Sequence, residues 1–200
     1  MIRLVSVLGA AALLGGCALL ASPDPVQLYR FGDAAPRAGA ASNTALTAVS
    51  MRRITFPEAA AGDRLLAING TEAFYIAGAR WVSPAESLFT EAIENAFAGQ
   101  SRRVRLIGRQ ELTPANLILD LDMRAFEARY DAGPDAPPTI RVAARARMLR
   151  FPERTVIAEQ TFSVEQPAGE NRISAIVAAF DAATADVGGQ LVAWTDNLAG

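Results

Sequence analysis

Two segments in the second half of the chain alternate between apolar and polar side chains, and this pattern constrains the fold most strongly. NLILDLDMR (116–124) and TIRVAARARML (139–149) each place apolar residues at every second position. A period of two puts successive side chains on opposite faces of a strand. The apolar positions are Leu117, Leu119, Leu121, Met123, Val142, Ala144, Ala146 and Met148. The sequence therefore predicts long strands in a sheet with one buried face.

The opposite faces of these two strands carry charges of opposite sign. Ile118, Asp120, Asp122 and Arg124 alternate with the apolar set of the first strand, and Arg141, Arg145 and Arg147 with that of the second. Opposite charges facing each other across antiparallel strands stabilise the pairing. We therefore expect cross-strand ion pairs, with a bulge or a change of face at Ala125-Phe126, where the alternation slips. TVIAEQTFSVE (155–165) is expected to pair next, after a turn at Pro152-Glu153.

The first half of the chain adds shorter strands. Apolar and β-branched residues predict strands in the ranges 26–31, 45–56 and 102–109, and a flexible loop over 33–44. In RLLAINGTEAFYIA (64–77), Asn69-Gly70 lies between two apolar runs. An Asn-Gly pair in that position is a strong signal for a two-residue hairpin turn, because both residues tolerate a positive φ.

Two helices are expected. In SPAESLFTEAIENAFAG (83–99), Ser83 is placed to cap the helix, with Pro84 in its first position and Glu86 completing a capping box. The second helix follows from apolar residues in alternating steps of four and three: Ile173, Val177, Phe180, Thr184, Val187, Leu191, Trp194 and Leu198. We expect it to continue through Gly188-Gly189, a weak or closely packed point. A helix lying along a sheet is favoured over a coiled coil, which gives an α/β or α+β fold in one layered domain.

The N-terminus has the features of a secretory signal. Arg3 precedes an apolar stretch of about eleven residues, which is too short to span a membrane at roughly 20 residues per spanning helix. Leu14, Gly15 and Gly16 precede Cys17 and resemble the lipobox that signal peptidase recognises in bacterial lipoproteins. This predicts a signal peptide over 1–16, a lipid on Cys17, a tether over 17–25 and one domain over 26–200. Ala18 is not the Asp that resembles an inner-membrane retention signal, which favours the periplasmic side of the outer membrane.

Composition excludes several function classes. The net charge is −2, so nucleic-acid binding has no electrostatic support. The chain has no His, and all nineteen basic residues are Arg. Triads with His, phosphate loops with Lys and Schiff-base lysines are therefore excluded. No metal, cofactor or catalytic residue is expected, because Asp120 and Asp122 are better explained as part of a solvated charge ladder than as a metal or acid–base pair.

AFYIAGARWVSPAESLFTEAIENAF (73–97) resembles the signature of the ABC-type transport auxiliary lipoprotein family. Tyr75, Gly78, Ala79, Arg80 and Trp81 stand at the positions of a Tyr-x-Ala/Gly-x-x-Arg-Trp element that leads into an amphipathic helix. LYRFGD, ANLILDLDMRAFEARY and a final helix with AAFDAA and Trp194 also match the layout of the family. The resemblance covers essentially the whole chain after Cys17.

The resemblance implies both a fold and a role. The fold is a single three-layer α/β/α domain with a mixed, largely antiparallel sheet and two main helices, similar to the anticodon-binding-domain type. The role is that of a non-enzymatic accessory to a lipid-transport ABC system, whose partners would be a periplasmic mammalian-cell-entry (MCE) domain protein and the permease and ATPase. The accessory would link this system to the outer membrane, with a ring or other homo-oligomer as one possible assembly.

Several alternatives remain open from the residues. Phe74, Tyr75 and Trp81 either present an aromatic contact to a partner or, as is favoured, pack beneath the first helix. Tyr75, Arg80 and Trp81 are the candidate interface residues of the family signature. Arg145 and Arg147 either bind lipid phosphates or, by default, balance charge. The protein could instead carry a lipid or sterol in an apolar cavity of several hundred Å³. Carboxylates that are distant in sequence could also meet to form a hydrolase site.

Overall fold

The computed structural model describes residues 26–32, 46–108, 111 and 113–199, which form eight strands and three helices. The predicted signal peptide with Leu14, Gly15 and Gly16, the predicted lipid site Cys17, the predicted tether over 17–25 and the loop predicted over 33–44 all lie outside these residues. The strands are β1 (Gln27–Tyr29), β2 (Thr47–Met51), β3 (Arg64–Asn69), β4 (Glu72–Trp81), β5 (Val104–Ile107), β6 (Leu117–Arg129), β7 (Thr139–Arg150) and β8 (Thr155–Pro167). The helices are α1 (Glu58–Ala61), α2 (Ala85–Gln100) and α3 (Ile173–Leu198).

The sheet is built around β6, which has a different set of neighbours on each side. One side of β6 pairs along its length with β7, and β7 pairs with β8, both antiparallel. The other side pairs in parallel with β2 near its start and with β3 near its end. β5 extends the β2 branch, while β4 and β1 extend the β3 branch. The predicted mixed sheet is confirmed, and its longest pairings are antiparallel.

The predicted charge ladder is present between β6 and β7. Asp120 lies opposite Arg147 and Asp122 opposite Arg145, while Leu121 and Ala146 face the core. The register shifts between Met123 and Ala125, which confirms the predicted bulge. The bulge changes the parity of the buried positions, so that Phe126 faces the core after it.

The β3–β4 hairpin is confirmed, but its turn is displaced by one residue. Asn69 pairs with Glu72, so the central residues of the turn are Gly70 and Thr71 rather than Asn69 and Gly70. Gly70 has φ +58°, the sign that a type II′ turn requires at its first central position. Asn69 remains part of the strand ladder.

The two long helices lie on the same face of the sheet. The ring of Phe126 on β6 contacts both Phe89 of α2 and Phe180 of α3. In the described part of the chain, α2 and α3 therefore form one helical layer against the mixed sheet, and the expected single α/β domain with two main helices is confirmed. The opposite face of β6 and β7 carries the charge ladder, and such a face gives a second helical layer little apolar surface to bury.

The start of α2 differs from the predicted capping box. Pro84 takes the N-cap position, and no side chain caps the helix. The carboxylate of Glu86 accepts a hydrogen bond from Nε of Arg53 at 2.6 Å instead of turning back to the backbone. An ion pair with a neighbouring element has replaced the local cap.

The last helix is continuous from Ile173 to Leu198, as predicted. Its length and apolar composition would suffice for a membrane span, but its buried residues pack on β7, β8 and α2. A Cβ atom at Gly188 would lie 3.3 Å from Cβ of Ala96. Gly188 is therefore a point of close approach between α3 and α2.

Candidate interaction cleft

An open cleft of about 870 Å³ lies between α2 and the β2–β5 branch of the sheet. Met51, Phe97, Val104, Leu106 and Ile107 supply its apolar surface. Asp196 near the end of α3 fixes one end of the cleft, because its carboxylate accepts hydrogen bonds from Ser101 Oγ at 2.6 Å and from the backbone N–H of Arg102 at 2.8 Å. The loop from α2 to β5 is thereby held in place.

The cleft has walls of opposite charge, which we call the acidic wall and the basic wall. The acidic wall consists of Glu86, Glu91 and Glu94 on α2, and the basic wall of Arg52, Arg53 and Arg105 on the β2–β5 side. One ion pair bridges the two walls, between Arg53 and Glu86, and the hydrogen bond to Glu86 raises the pKa of Arg53. The Arg53 guanidinium therefore stays charged at neutral pH.

Two charges of opposite sign at the cleft are available to another molecule. Arg105 pairs with Glu111 at 2.8 Å, and Glu91 pairs with Arg30 at 2.6 Å. Within the described residues, Arg52 and Glu94 form no such pair, although both line the cleft. A bound molecule could therefore gain a charge-assisted contact on each wall.

β5 adds unpaired backbone groups beside this cleft. Among the described strands it pairs only with β2, so its other side is an edge of the sheet. An edge strand presents N–H and C=O groups that another chain can pair with. The cleft thus combines an apolar floor, two available charges and a short strand edge, which is a surface suited to a polypeptide partner.

The structure places the residues of the family signature away from the cleft. Trp81 is 2% exposed, and its ring contacts Phe31 and Phe180 in the core. Arg80 donates two hydrogen bonds to the carboxylate of Asp63, at 2.8 and 3.0 Å. These contacts connect β4 to the residue that precedes β3.

Tyr75 also makes its contacts within the domain. Its hydroxyl donates a hydrogen bond to the carbonyl oxygen of Ala59 in α1 at 3.2 Å, and the Arg64 guanidinium lies 3.8 Å from the centre of its ring. Tyr75, Arg80 and Trp81 therefore do not converge on one surface. Their contacts hold β4 to the core and to α1.

Two Arg residues of the charge ladder, Arg145 and Arg147, pair with carboxylates. Arg147 pairs with Asp120 at 2.7 Å, and Arg145 pairs with Glu159 of β8 at 2.6 Å. The hydrogen bond from Arg145 lowers the pKa of Glu159. These pairings favour charge balance over binding of lipid phosphates at Arg145 and Arg147.

The described residues hold no group of three or more Asp, Glu, Cys or His side chains that could bind a metal ion. The cleft itself was missed by sequence reasoning, because its basic wall joins two segments on either side of α2: Arg52 and Arg53, more than thirty residues before Glu86, and Arg105, which follows the helix. The one local signal was the spacing of Glu86 and Glu94, which puts both carboxylates on one polar side of α2.

The comparisons with known proteins agree with this architecture. The family model of the ABC-type transport auxiliary lipoprotein component matches residues 29–192 of this chain. A crystal structure of a protein from Xanthomonas campestris is 22% identical, with a TM-score of 0.70 over 85% of this chain and 94% of that chain. A hypothetical protein from Chlamydia trachomatis is 13% identical, with a TM-score of 0.53 over 78% of this chain and 98% of that one. At these identities the likeness shows the fold alone. No curated protein matches the chain.

Proposed function

Because the chain belongs to the ABC-type transport auxiliary lipoprotein family, we propose that it is a non-enzymatic accessory of an MCE-type lipid transporter. The observation that carries the proposal is the family match over residues 29–192, which covers nearly all of the described domain. In this role the domain lies in the periplasm and links the transporter to the outer membrane. Its direct partner is the MCE-domain protein, and the permease and ATPase belong to the same assembly.

The anchor in this proposal is the lipid on Cys17. Leu14, Gly15 and Gly16 supply the recognition sequence for signal peptidase, and Ala18 supports outer-membrane placement. One acyl chain gives only marginal binding, at ~0.8 kcal/mol per buried CH₂, and two or more chains make the attachment stable. The domain needs no membrane-spanning segment to stay at the membrane.

The surface assigned to the MCE protein is the cleft between α2 and β5. Arg52 and Glu94 can pair with charges on the partner, and the free edge of β5 can pair with an extended segment. The strand edge provides backbone hydrogen bonds to the partner. The acidic and basic walls favour a partner whose charges are opposite to theirs over one with the two charges exchanged. Tyr75, Arg80 and Trp81 support the domain in this view, rather than contacting the partner.

The volume of the cleft bears on the rival function, which is that of a lipid carrier. Its volume lies within the range of ligand pockets, roughly 300–1,000 Å³. Seven charged residues line it, however: Arg52, Arg53, Glu86, Glu91, Glu94, Arg105 and Glu111. Acyl chains would be poorly accommodated among so many charges, because burial of charged groups is costly. The accessory role is therefore the better supported of the two.

Purification of the lipidated protein from native membranes in mild detergent tests the proposal. We expect an MCE-domain protein to be identified by mass spectrometry among the co-purified proteins. Recovery of the protein alone, with one equivalent of bound lipid besides its own acyl chains, would instead establish the carrier. Recovery with neither an MCE protein nor a lipid would refute both functions.

A charge reversal tests the assignment of the cleft. Glu94→Arg changes the acidic wall, whereas Glu165→Arg changes an exposed carboxylate on β8, far from the cleft. We expect the first variant to lose the MCE protein in the same purification and the second to keep it. Equal recovery with both variants would remove the cleft from the interface.

A further inference from the structure

Three exposed aliphatic side chains lie together at the β1 edge of the sheet, and we call them the β1 patch. Val26, Leu28 and Val82 are 47%, 55% and 44% exposed. They are close in space because Leu28 pairs with Arg80, and the backbone N–H of Val82 donates a hydrogen bond to the carbonyl oxygen of Tyr29. Isolated exposed aliphatic residues need no explanation, but an apolar cluster calls for one.

The β1 patch points away from the core. Trp81 lies between Arg80 and Val82 and is buried, so the side chains of its two neighbours emerge on the opposite face. In the described residues β1 pairs only with β4, which leaves the patch at the border of the sheet. Arg80 lies beside the patch and keeps 43% of its side chain exposed. The combination is apolar contact area with a guanidinium next to it.

The distance along the chain from the patch to Cys17 is short. Val26 follows Cys17 by nine residues. Even fully extended, nine residues span only about 30 Å, at roughly 3.3–3.6 Å per residue. A surface tethered this closely to a lipid anchor meets the bilayer at a high effective concentration. Weak apolar contacts that would fail in free solution can therefore form.

We propose that the β1 patch rests on the lipid surface to which Cys17 is anchored. The inference depends on the lipidation of Cys17 that the proposed function includes. Val26, Leu28 and Val82 enter the interfacial region of the bilayer, and Arg80 stays at the level of the headgroups. This contact orients the domain, so that β8, at the opposite border of the sheet, is turned away from the membrane.

A site-specific fluorescent label tests this orientation. In the mature lipoprotein the sulfur of Cys17 carries the lipid, and Cys17 is the sole cysteine of the chain, so an introduced cysteine is the one free thiol. Leu28→Cys and Val82→Cys place a nitrobenzoxadiazole label in the patch. Thr161→Cys places the same label on β8, where the residue is also exposed. The labelled lipoproteins are reconstituted into vesicles of phosphatidylethanolamine and phosphatidylglycerol that contain lipid brominated in its acyl chains.

We expect brominated lipid to quench the labels at positions 28 and 82 at least about threefold more than the label at 161. Equal quenching at all three positions would overturn the inference. Quenching of the label at position 161 alone would also overturn the inference. So would a label at position 28 that is shielded from solvent only after a partner protein is added. The intact mass of each sample reports the lipid on Cys17 separately. A lipidated protein whose patch is not quenched rejects the membrane contact alone, whereas a protein without lipid rejects the anchor of the proposed function.

Discussion

Trp81 and Val82 are neighbours in the chain but lie in different environments, which separates a structural residue from a surface one. Trp81 packs against Phe31 and Phe180 in the core, whereas Val82 is 44% exposed. We expect Trp81→Ala to lower the free energy of unfolding by about 3–5 kcal/mol and Val82→Ala to change it by less than about 0.5 kcal/mol. Urea denaturation of both variants measures the difference. A loss below about 1 kcal/mol for Trp81→Ala would contradict its placement in the core.

Tyr130 gives the domain a pH dependence on the alkaline side. Its side chain is buried, its hydroxyl donates a hydrogen bond to Asn171 Oδ1 at 3.1 Å, and burial raises its pKa. Because the folded state disfavours the phenolate, the unfolded state loses its proton first as the pH rises above about 10. The free energy of unfolding then falls with rising pH until the folded-state pKa is passed.

We expect Tyr130→Phe to remove this part of the alkaline decline, although the variant loses the hydrogen bond to Asn171. Urea denaturation of both proteins between pH 9 and pH 11 measures the two slopes. The lost hydrogen bond lowers the free energy of unfolding at every pH, whereas titration of Tyr130 changes its slope against pH. Comparing the slopes of the two proteins therefore separates the two effects. Identical slopes would show that Tyr130 does not cause the dependence.

At the scale of elements, Gly188 and Gly189 of α3 test how closely the two long helices pack. A Cβ at position 188 would lie 3.3 Å from Cβ of Ala96, whereas one at position 189 would lie 3.5 Å from the amide oxygen of Gln100, the end of a flexible side chain. Replacing glycine by alanine inside a helix stabilises it by up to about 1 kcal/mol when space allows. We therefore expect Gly189→Ala to raise the melting temperature, and Gly188→Ala to raise it less or lower it. A larger gain for Gly188→Ala would mean that α2 can move away at little cost.

The elements that could be predicted from the sequence are those whose signal is repeated many times. The alternation over 116–124 and 139–149 fixed the faces of β6 and β7, and the four–three spacing fixed α3 as one helix. Single-residue signals were weaker. Ser83 did not become the cap of α2, because Pro84 takes the N-cap position, and Asn69 did not enter the turn, because it pairs with Glu72. A contact with a distant segment engages Glu86, whereas the register of a local hairpin keeps Asn69 in the strand.

At the scale of the molecule, the branching of the sheet and the cleft could not be predicted. β6 accepts β2 and β3 on the same side at different heights, and no local pattern indicates which short strand takes which position. The cleft depends on that branching, since Arg52 follows β2 and Arg105 lies on β5. The apolar residues of the β1 patch are visible in the sequence. Their exposure follows from the place of β1 at the border of the sheet.

The proposed lipid anchor at Cys17 would set where the whole molecule acts, and two substitutions test the attachment and the sorting to one membrane separately. Cys17→Ala removes the acceptor for the lipid, so we expect a protein that keeps residues 1–16 or is released from the membrane. Ala18→Asp keeps the acceptor and adds the residue that resembles an inner-membrane retention signal. We expect it to stay lipidated but to move to the inner membrane.

Membrane fractionation with intact-mass analysis tests both expectations. Neither substitution lies among residues 26–199, so the circular-dichroism spectrum and melting temperature of the purified domain serve as controls for folding. A cleaved, membrane-bound Cys17→Ala protein would refute the lipid anchor. A lipidated Ala18→Asp protein that stays in the outer membrane would refute only the sorting argument. The β1 patch has its proposed role only if the anchor holds, because lipid contacts by three aliphatic side chains are too weak to retain a protein at the membrane without covalent attachment.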